Sequence, residues 1–139
     1  MSLKTEAFQY LKNAKNAKLV TANSEGAPDI RTVGGYSADD QAIYILTNEN
    51  TNKVAQIREN DKVLVFAENE GQIIPDFVNF TFYGRASLLS GEEYRTAEAL
   101  IKERRPQLDF SRPGTAIIKV EPHTIKKLDF SADEKITFS

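Results

Sequence analysis

Leu3, Ala7, Tyr10, Leu11 and Ala14 recur at three- and four-residue spacing among Lys, Gln and Asn. That is the period of a helix with one apolar face, and Ser2 stands where its N-cap belongs. From Ala17 the period shortens. The runs AKLVTAN, DIRTVGGYS and AIYILTN are separated by Ser24-Glu25-Gly26-Ala27-Pro28 and by Ala38-Asp39-Asp40-Gln41, which predicts three strands in hairpin connection. Between Asn50 and Asn60, Val54 and Ile57 share one face of a short helix, with Asn60 suited to a left-handed C-cap. KVLVFAE is a fourth strand. The longest alternation follows, with Val78, Phe80, Phe82, Gly84, Ala86 and Leu88 on one face and Asn79, Thr81, Tyr83, Arg85 and Ser87 on the other. This predicts a long, half-buried strand that bends at Gly84. Ser90-Gly91-Glu92-Glu93 has the form of a capping box opening a third helix, through Tyr94, Ala97, Leu100 and Ile101, that Pro106 stops. TAIIKVE reads as a sixth strand, and TIKKLDF and KITFS as extended edges.

About six antiparallel strands with three short helices argue for a mainly β chain closed into a small barrel, because closure removes the exposed edges of an open meander. The 139 residues are enough for one domain, 1–139, and too few for two. No run approaches the ~18 apolar residues of a membrane span. Eighteen Lys and Arg against 20 Asp and Glu leave a net charge of -2, so no global basic field exists to hold nucleic acid. An oligonucleotide barrel built on Phe80, Phe82 and Tyr83 is the weaker reading, since those Phe residues alternate as a core face does. Cys is absent and no apolar signal core opens the chain, from which a cytoplasmic protein without disulfides is expected.

Most catalytic constellations cannot be built from this chain. There is no thiol nucleophile, and the single histidine, His123, follows Glu121-Pro122 at a strand end, where a solvated turn is expected. Neither a P-loop nor a dinucleotide-binding glycine motif occurs. Asp39-Asp40 and Glu92-Glu93 fall at a turn and a first helical turn, where carboxylates serve local roles. One junction is richer: Thr47, Asn48, Thr51 and Lys53 surround the end of the third strand and the start of the second helix, and Arg31 precedes them by one hairpin. Hydroxyls, cations and free backbone N–H groups there suit a phosphate. The other reading, slightly favoured by these residues alone, is that Asn50 or Thr51 caps the helix and Lys53 is solvated.

Arg31-Thr32-Val33, then Tyr44-Ile45-Leu46-Thr47-Asn48-Glu49-Asn50-Thr51-Asn52-Lys53, resembles the R-x-V and F-x-T-N-x-x-S-x-K signature of the pyridoxamine 5'-phosphate oxidase-like, FMN-binding split-barrel family. Thr51 replaces the usual Ser. Gly84-Arg85-Ala86-Ser87-Leu88 is similar to the family's G-x-A-x-x-L strand end, and the order of elements agrees from about Leu3 to Leu128. The resemblance implies a six-stranded antiparallel split β-barrel forming a homodimer, with FMN in a cleft at the subunit interface. Arg31, Lys53 and Thr51 would hold the FMN phosphate. Thr47 and the backbone near Thr32, Val33 and Leu46 would line the ribityl chain and isoalloxazine ring, and the Asn79 amide would reach the flavin.

Tyr36 stands where the oxidases often carry Lys, and Trp is absent, so pyridoxine-phosphate oxidation is not expected. The chain looks closer to the short flavin-nucleotide-binding and general-stress-protein-like branch, whose reactions are often unassigned. An FMN flavoprotein acting on a small redox substrate, with NAD(P)H as possible donor, is the leading expectation. A non-enzymatic split barrel that binds a ligand, or that has lost its flavin, is the alternative. Lys102 and Lys127 are expected on solvated faces.

Overall fold

The computed structural model describes residues 1–130 and 133–138. In chain order it contains α1 (Leu3–Asn13), β1 (Ala17–Ala22), β2 (Pro28–Val33), β3 (Tyr36–Ala38), β4 (Ile43–Asn48), α2 (Asn52–Glu59), β5 (Lys62–Glu68), β6 (Val78–Leu88), α3 (Gly91–Arg104), β7 (Thr115–Asp129) and β8 (Asp133–Thr137). The strands form one antiparallel sheet in the order β2-β1-β5-β6-β7-β4-β3, with β8 added to β7. Strands β2 and β3, at opposite ends of that order, are joined by Gly34 and Gly35 alone. A two-residue link between the two edges forces the sheet to curl into a split barrel.

There are thus eight strands among the described residues, not six. DIRTVGGYS breaks at Gly34-Gly35 into β2 and β3, while TAIIKVE and TIKKLDF run together as β7 and place His123 inside a strand rather than at its end. β7 accommodates Pro122 because the register with β6 shifts between Tyr83 and Gly84. A Cβ at Gly84 would sit 2.3 Å from the Glu121 carbonyl oxygen, so the close approach of two backbones is what requires glycine. Ser2 caps α1 as predicted, its hydroxyl accepting from Thr5 N–H at 3.1 Å. Two other caps differ from expectation. Asn60 ends α2 in extended backbone, φ -145°, and Ser90 makes no side-chain cap bond to α3.

The main core fills the barrel. Leu19, Val65, Phe80, Phe82, Ile118, Val120 and Ile125 point inward, and α1 plugs one end with Ala7, Phe8 and Leu11. The Phe8 and Phe82 rings lie 5.2 Å apart and tilted, and each such fully buried side chain contributes about 1.5–3 kcal/mol. A second cluster forms outside the barrel, where Ala97 and Ile101 of α3 cover Ile117 with Tyr44, Leu46 and Leu108.

The last residue of α3 fastens three segments together. Arg104 donates from Nε to the Lys12 carbonyl at 2.9 Å, from Nη1 to those of Tyr36 and Gly34 at 3.1 and 3.3 Å, and from Nη2 to that of Ala14. Its guanidinium stacks 4.0 Å from the Tyr36 ring centre, and the Tyr36 hydroxyl donates to the carbonyls of Leu11 and Ala14. The carbonyl-bearing C-terminus of α1, which has few partners of its own, is thereby capped from another helix. The same contacts fix the Gly34–Tyr36 segment that continues from β2.

Candidate anion-binding site

Edge strand β2 is paired on one side only, with β1. Its residue Arg31 lies opposite Leu19, which is wholly buried, so the side chain is directed to the core side near the barrel end. There Arg31 Nη1 donates to Thr21 Oγ1 at 2.7 Å and to the Leu19 carbonyl at 3.3 Å, and Nη2 to Gln56 Oε1 at 3.3 Å and Asp29 Oδ2 at 3.0 Å. The buried Thr21 hydroxyl in turn donates to Gln56 Oε1. Gln56 belongs to α2 and lies three residues after Lys53, hence on the same helix face.

Lys53 is half-buried, and its ammonium has no carboxylate partner among the described residues. Burial, and then the neighbouring Arg31 guanidinium, hold its pKa below the ordinary lysine value. Two cations are therefore kept close at the start of α2. Thr51 occupies the N-cap position, yet its hydroxyl donates to the Asn48 carbonyl at 2.8 Å and lies 3.5 Å from that of Thr47. It makes no side-chain cap bond, and the first turn of α2 carries no acidic residue. The positive end of the helix dipole faces the same side as Lys53 without a side-chain counter-charge. A capped helix with a solvated lysine is not what the chain builds here.

Arg31, Lys53, Thr51 and Thr47 are thus gathered around the β2 edge, the end of β4 and the start of α2. The other expected residues lie elsewhere. Val33 packs into the barrel core. Leu46 lies under α3, its N–H donating to the Gly35 carbonyl at 2.8 Å, which ties β4 to the link after β2. Thr32, alternating with Arg31, faces outward and accepts from Lys18 Nζ at 2.6 Å. Asn79 is buried on β6, three strands from β2, and donates to Glu68 Oε2 at 3.1 Å. Thr21 and Gln56 were missed. A threonine at a core-facing position of AKLVTAN, and a glutamine one turn after Lys53, were the available signals.

Lys127 also departs from expectation: it pairs with Glu6 of α1 at 2.7 Å, whereas Lys102 is exposed. His123 is exposed and bonded to Thr124 Oγ1 at 2.9 Å. Among the described residues no cluster of His, Cys, Asp or Glu could hold a metal ion, and no helix is long and apolar enough to cross a membrane. A cavity of about 770 Å³ opens between the α1–β1 turn and the loop 69–77, and of the eight expected cofactor residues only Thr32 lines it.

The described residues form an eight-stranded split barrel with Arg31 and Lys53 at its open seam. The profile of the pyridoxamine 5'-phosphate oxidase family matches residues 3–129, nearly the whole chain, and the protein belongs to that family. No protein with a curated description matches it. Solved structures share the fold. General Stress Protein 26 from Bacillus anthracis superposes with a TM-score of 0.73 at 19% identity, over 99% of this chain and 100% of that one. A heme binding protein from Mycobacterium smegmatis gives 0.82 at 14% identity, over 99% of this chain and only 58% of that one. A candidate 5-nitroimidazole antibiotic resistance protein from Bacteroides thetaiotaomicron gives 0.76 at 14%, over 91% and 84%.

Proposed function

We propose that the protein is an FMN-binding flavoprotein, a homodimer, acting as an oxidoreductase on a small molecule. The observation that carries this reading is the juxtaposition of Arg31 and Lys53 at the uncapped start of α2. Asp29 compensates Arg31 in part, at 3.0 Å, but Lys53 has no carboxylate partner among the described residues, and a phosphate monoester, largely dianionic at neutral pH, matches both the remaining charge and the open backbone donors. Arg31 and Lys53 would bind the phosphate of FMN, with Thr51 and Thr47 as hydroxyl partners. Thr21 and Gln56 orient Arg31 from behind. Thr32, Val33 and Leu46 border the same edge through their backbone. When bound, FMN supplies hydride and electron transfer, and the chain supplies binding, orientation and the electrostatics that tune it.

Dimerisation is supported by the exposed character of β2, where Ile30 is 61% exposed on a strand with a free edge. Asn79 lies three strand spacings, roughly 14 Å, from β2 of its own chain. In this reading its amide meets the flavin of a second copy. Tyr36 is wholly buried with its hydroxyl on α1 carbonyls, so it takes no part in gripping a pyridoxine phosphate, and we propose a different substrate.

The test is the absorption spectrum of the purified protein, followed by titration of the flavin-free chain with FMN and with riboflavin. A flavin spectrum, tight FMN binding and poor riboflavin binding are expected. A haem spectrum, or equal binding of the two flavins, would overturn the reading. Anaerobic bleaching by NADH or NADPH tests the electron donor, and light scattering tests the dimer.

A further inference from the structure

The Arg31 guanidinium is supplied with acceptors by its own chain. Its Nη1 donates to Thr21 Oγ1 at 2.7 Å and to the carbonyls of Leu19 and Asp29 at 3.3 and 3.4 Å, and its Nη2 to Gln56 Oε1 at 3.3 Å and Asp29 Oδ2 at 3.0 Å. Each terminal nitrogen carries a single pair of hydrogens, so both nitrogens are fully engaged. A bidentate grip on phosphate takes neighbouring N–H groups of the fork, and at least one of those belongs to a terminal nitrogen. Binding an anion at Arg31 is therefore an exchange, in which a resident acceptor must leave.

The acceptors differ in how easily they can go. Thr21 is 1% exposed, and the Leu19 carbonyl belongs to a strand inside the sheet. Gln56 Oε1 also accepts from the Thr21 hydroxyl, so displacing it would leave a buried donor without its partner. The Asp29 side chain is 52% exposed, at the free edge of β2, two residues before Arg31 and hence on the same face of the strand. It can turn into water without moving the backbone. Alone among these acceptors it bears the same sign of charge as a phosphate.

Charge sets the direction of the exchange. Asp29 pairs with Arg31, while Lys53 has no carboxylate partner among the described residues. A phosphate dianion between the two cations replaces one negative charge by a larger one, which favours the exchange. The contact given up, and repulsion from the displaced carboxylate, subtract from the gain.

We propose that Asp29 is a resident counter-ion of the Arg31–Lys53 cradle, an autoinhibitory contact that the phosphate of a ligand displaces and that sets how tightly the site holds it. The inference rests on the reading of the cradle as a phosphate site and not on what the phosphate is attached to. A carboxylate that merely positioned Arg31 would act with the opposite sign, since its loss would weaken binding. Thr21, Gln56 and the Leu19 carbonyl already orient the guanidinium without it.

Inorganic phosphate is the first probe. Its Kd is measured by titration calorimetry at fixed ionic strength on the full, flavin-free chain, for the wild type, Asp29→Asn, Arg31→Ala and the double variant. Asp29→Asn should bind phosphate about threefold to tenfold more tightly than the wild type. In the Arg31→Ala background the same substitution should change the Kd less than about twofold, because no contact is left to exchange. Asp40→Asn, exposed in the β3–β4 turn, makes the same change in net charge and should leave the Kd unchanged. Thermal unfolding of each variant establishes that it is folded. Phosphate binding that is unchanged or weakened by Asp29→Asn overturns the proposal, and so does an equal gain with and without Arg31, which general charge would explain. FMN and riboflavin are then titrated into the same proteins. FMN should follow phosphate, and riboflavin should be indifferent to Asp29. Variants that bind phosphate as described but do not bind FMN refute the flavin reading and leave the exchange standing, whereas an Asp29→Asn chain that binds neither overturns both.

Discussion

Replacing Arg104 by alanine removes the donor of four backbone carbonyls in two separate segments, the end of α1 and the link from β2 to β3. Two of the four retain another donor, because the Ala14 carbonyl also accepts from Tyr36 Oη at 3.2 Å and the Gly34 carbonyl from Arg105 Nε at 3.4 Å. The carbonyls of Lys12 and Tyr36 lose their bonds to a charged group, each worth about 1.5–3 kcal/mol. The stacking on Tyr36 adds about 1 kcal/mol. Against these stands the release of a half-buried cation whose pKa burial has already lowered. A net loss of about 3–4 kcal/mol is expected, a large part of the ~5–15 kcal/mol stability of a domain.

Urea unfolding followed by circular dichroism measures it. Arg104→Lys keeps the charge but cannot span carbonyls in two segments, so it should recover less than half of the loss. Glu103→Ala, one residue earlier and exposed, should stay within about 0.5 kcal/mol of wild type. Tyr36→Phe should lose about 1 kcal/mol, and the double variant should show coupling, since both side chains serve the Ala14 carbonyl. If Arg104→Ala costs less than about 1 kcal/mol, the contacts do not fasten the helices and the account of this region is wrong.

Arg31→Ala or Lys53→Ala should weaken FMN binding roughly tenfold to a hundredfold, whereas exposed Lys102→Ala should leave the Kd unchanged in an equilibrium titration. Because the Lys53 pKa is lowered in the free protein, a bound phosphate must raise it. FMN affinity should therefore fall as pH rises through the alkaline range below the ordinary lysine pKa, and Lys53→Ala should flatten that profile. Folding linkage has the sign of a depressed base: the unfolded chain binds more protons at Lys53 between the two pKa values, so this group's cost is fully present at neutral pH and is relieved as pH rises. Gly84→Ala should cost about 1–3 kcal/mol in thermal or urea unfolding, since the new methyl meets the Glu121–Pro122 backbone rather than a movable side chain.

Periodicity was enough to read α1, α3 and the long β6, because apolar side chains recur on one face of each, although in β6 the opposite face is also buried at Asn79 and Thr81. It failed where two different structures share one pattern. DIRTVGGYS alternates as a single strand does, and only the two-residue link between opposite sheet edges shows that Gly34-Gly35 must be a break. Thr51 is a good N-cap by residue type, but the nearby Asn48 carbonyl competes for its hydroxyl and wins. Lys127 looks solvated until α1 is folded across the barrel and brings Glu6 to it. Arg104 reads as an ordinary basic residue in a last helical turn, and its carbonyl partners lie between 68 and 92 positions away in the chain. The four central residues of the candidate anion site could be grouped from the sequence because they fall within one hairpin and the helix after it. Thr21 and Gln56, which hold Arg31 from the first strand and the next helical turn, needed the fold.

The position of the cationic seam follows from how the barrel is made. A sheet whose two edges are joined by Gly34-Gly35 is sealed near that link, where Leu46 N–H reaches the Gly35 carbonyl, while β2 and β4 themselves form no ladder. The backbone donors of β2 on that side have no strand partner, and α2 begins there with its own first-turn N–H groups uncapped by any side chain. Unpaired donors, a helix N-terminus and two cations thus accumulate at one place as a consequence of incomplete closure. Filling that place with another strand would complete the barrel and remove the candidate site, so in the proposed reading the opening in the sheet and the binding of an anion have one structural origin.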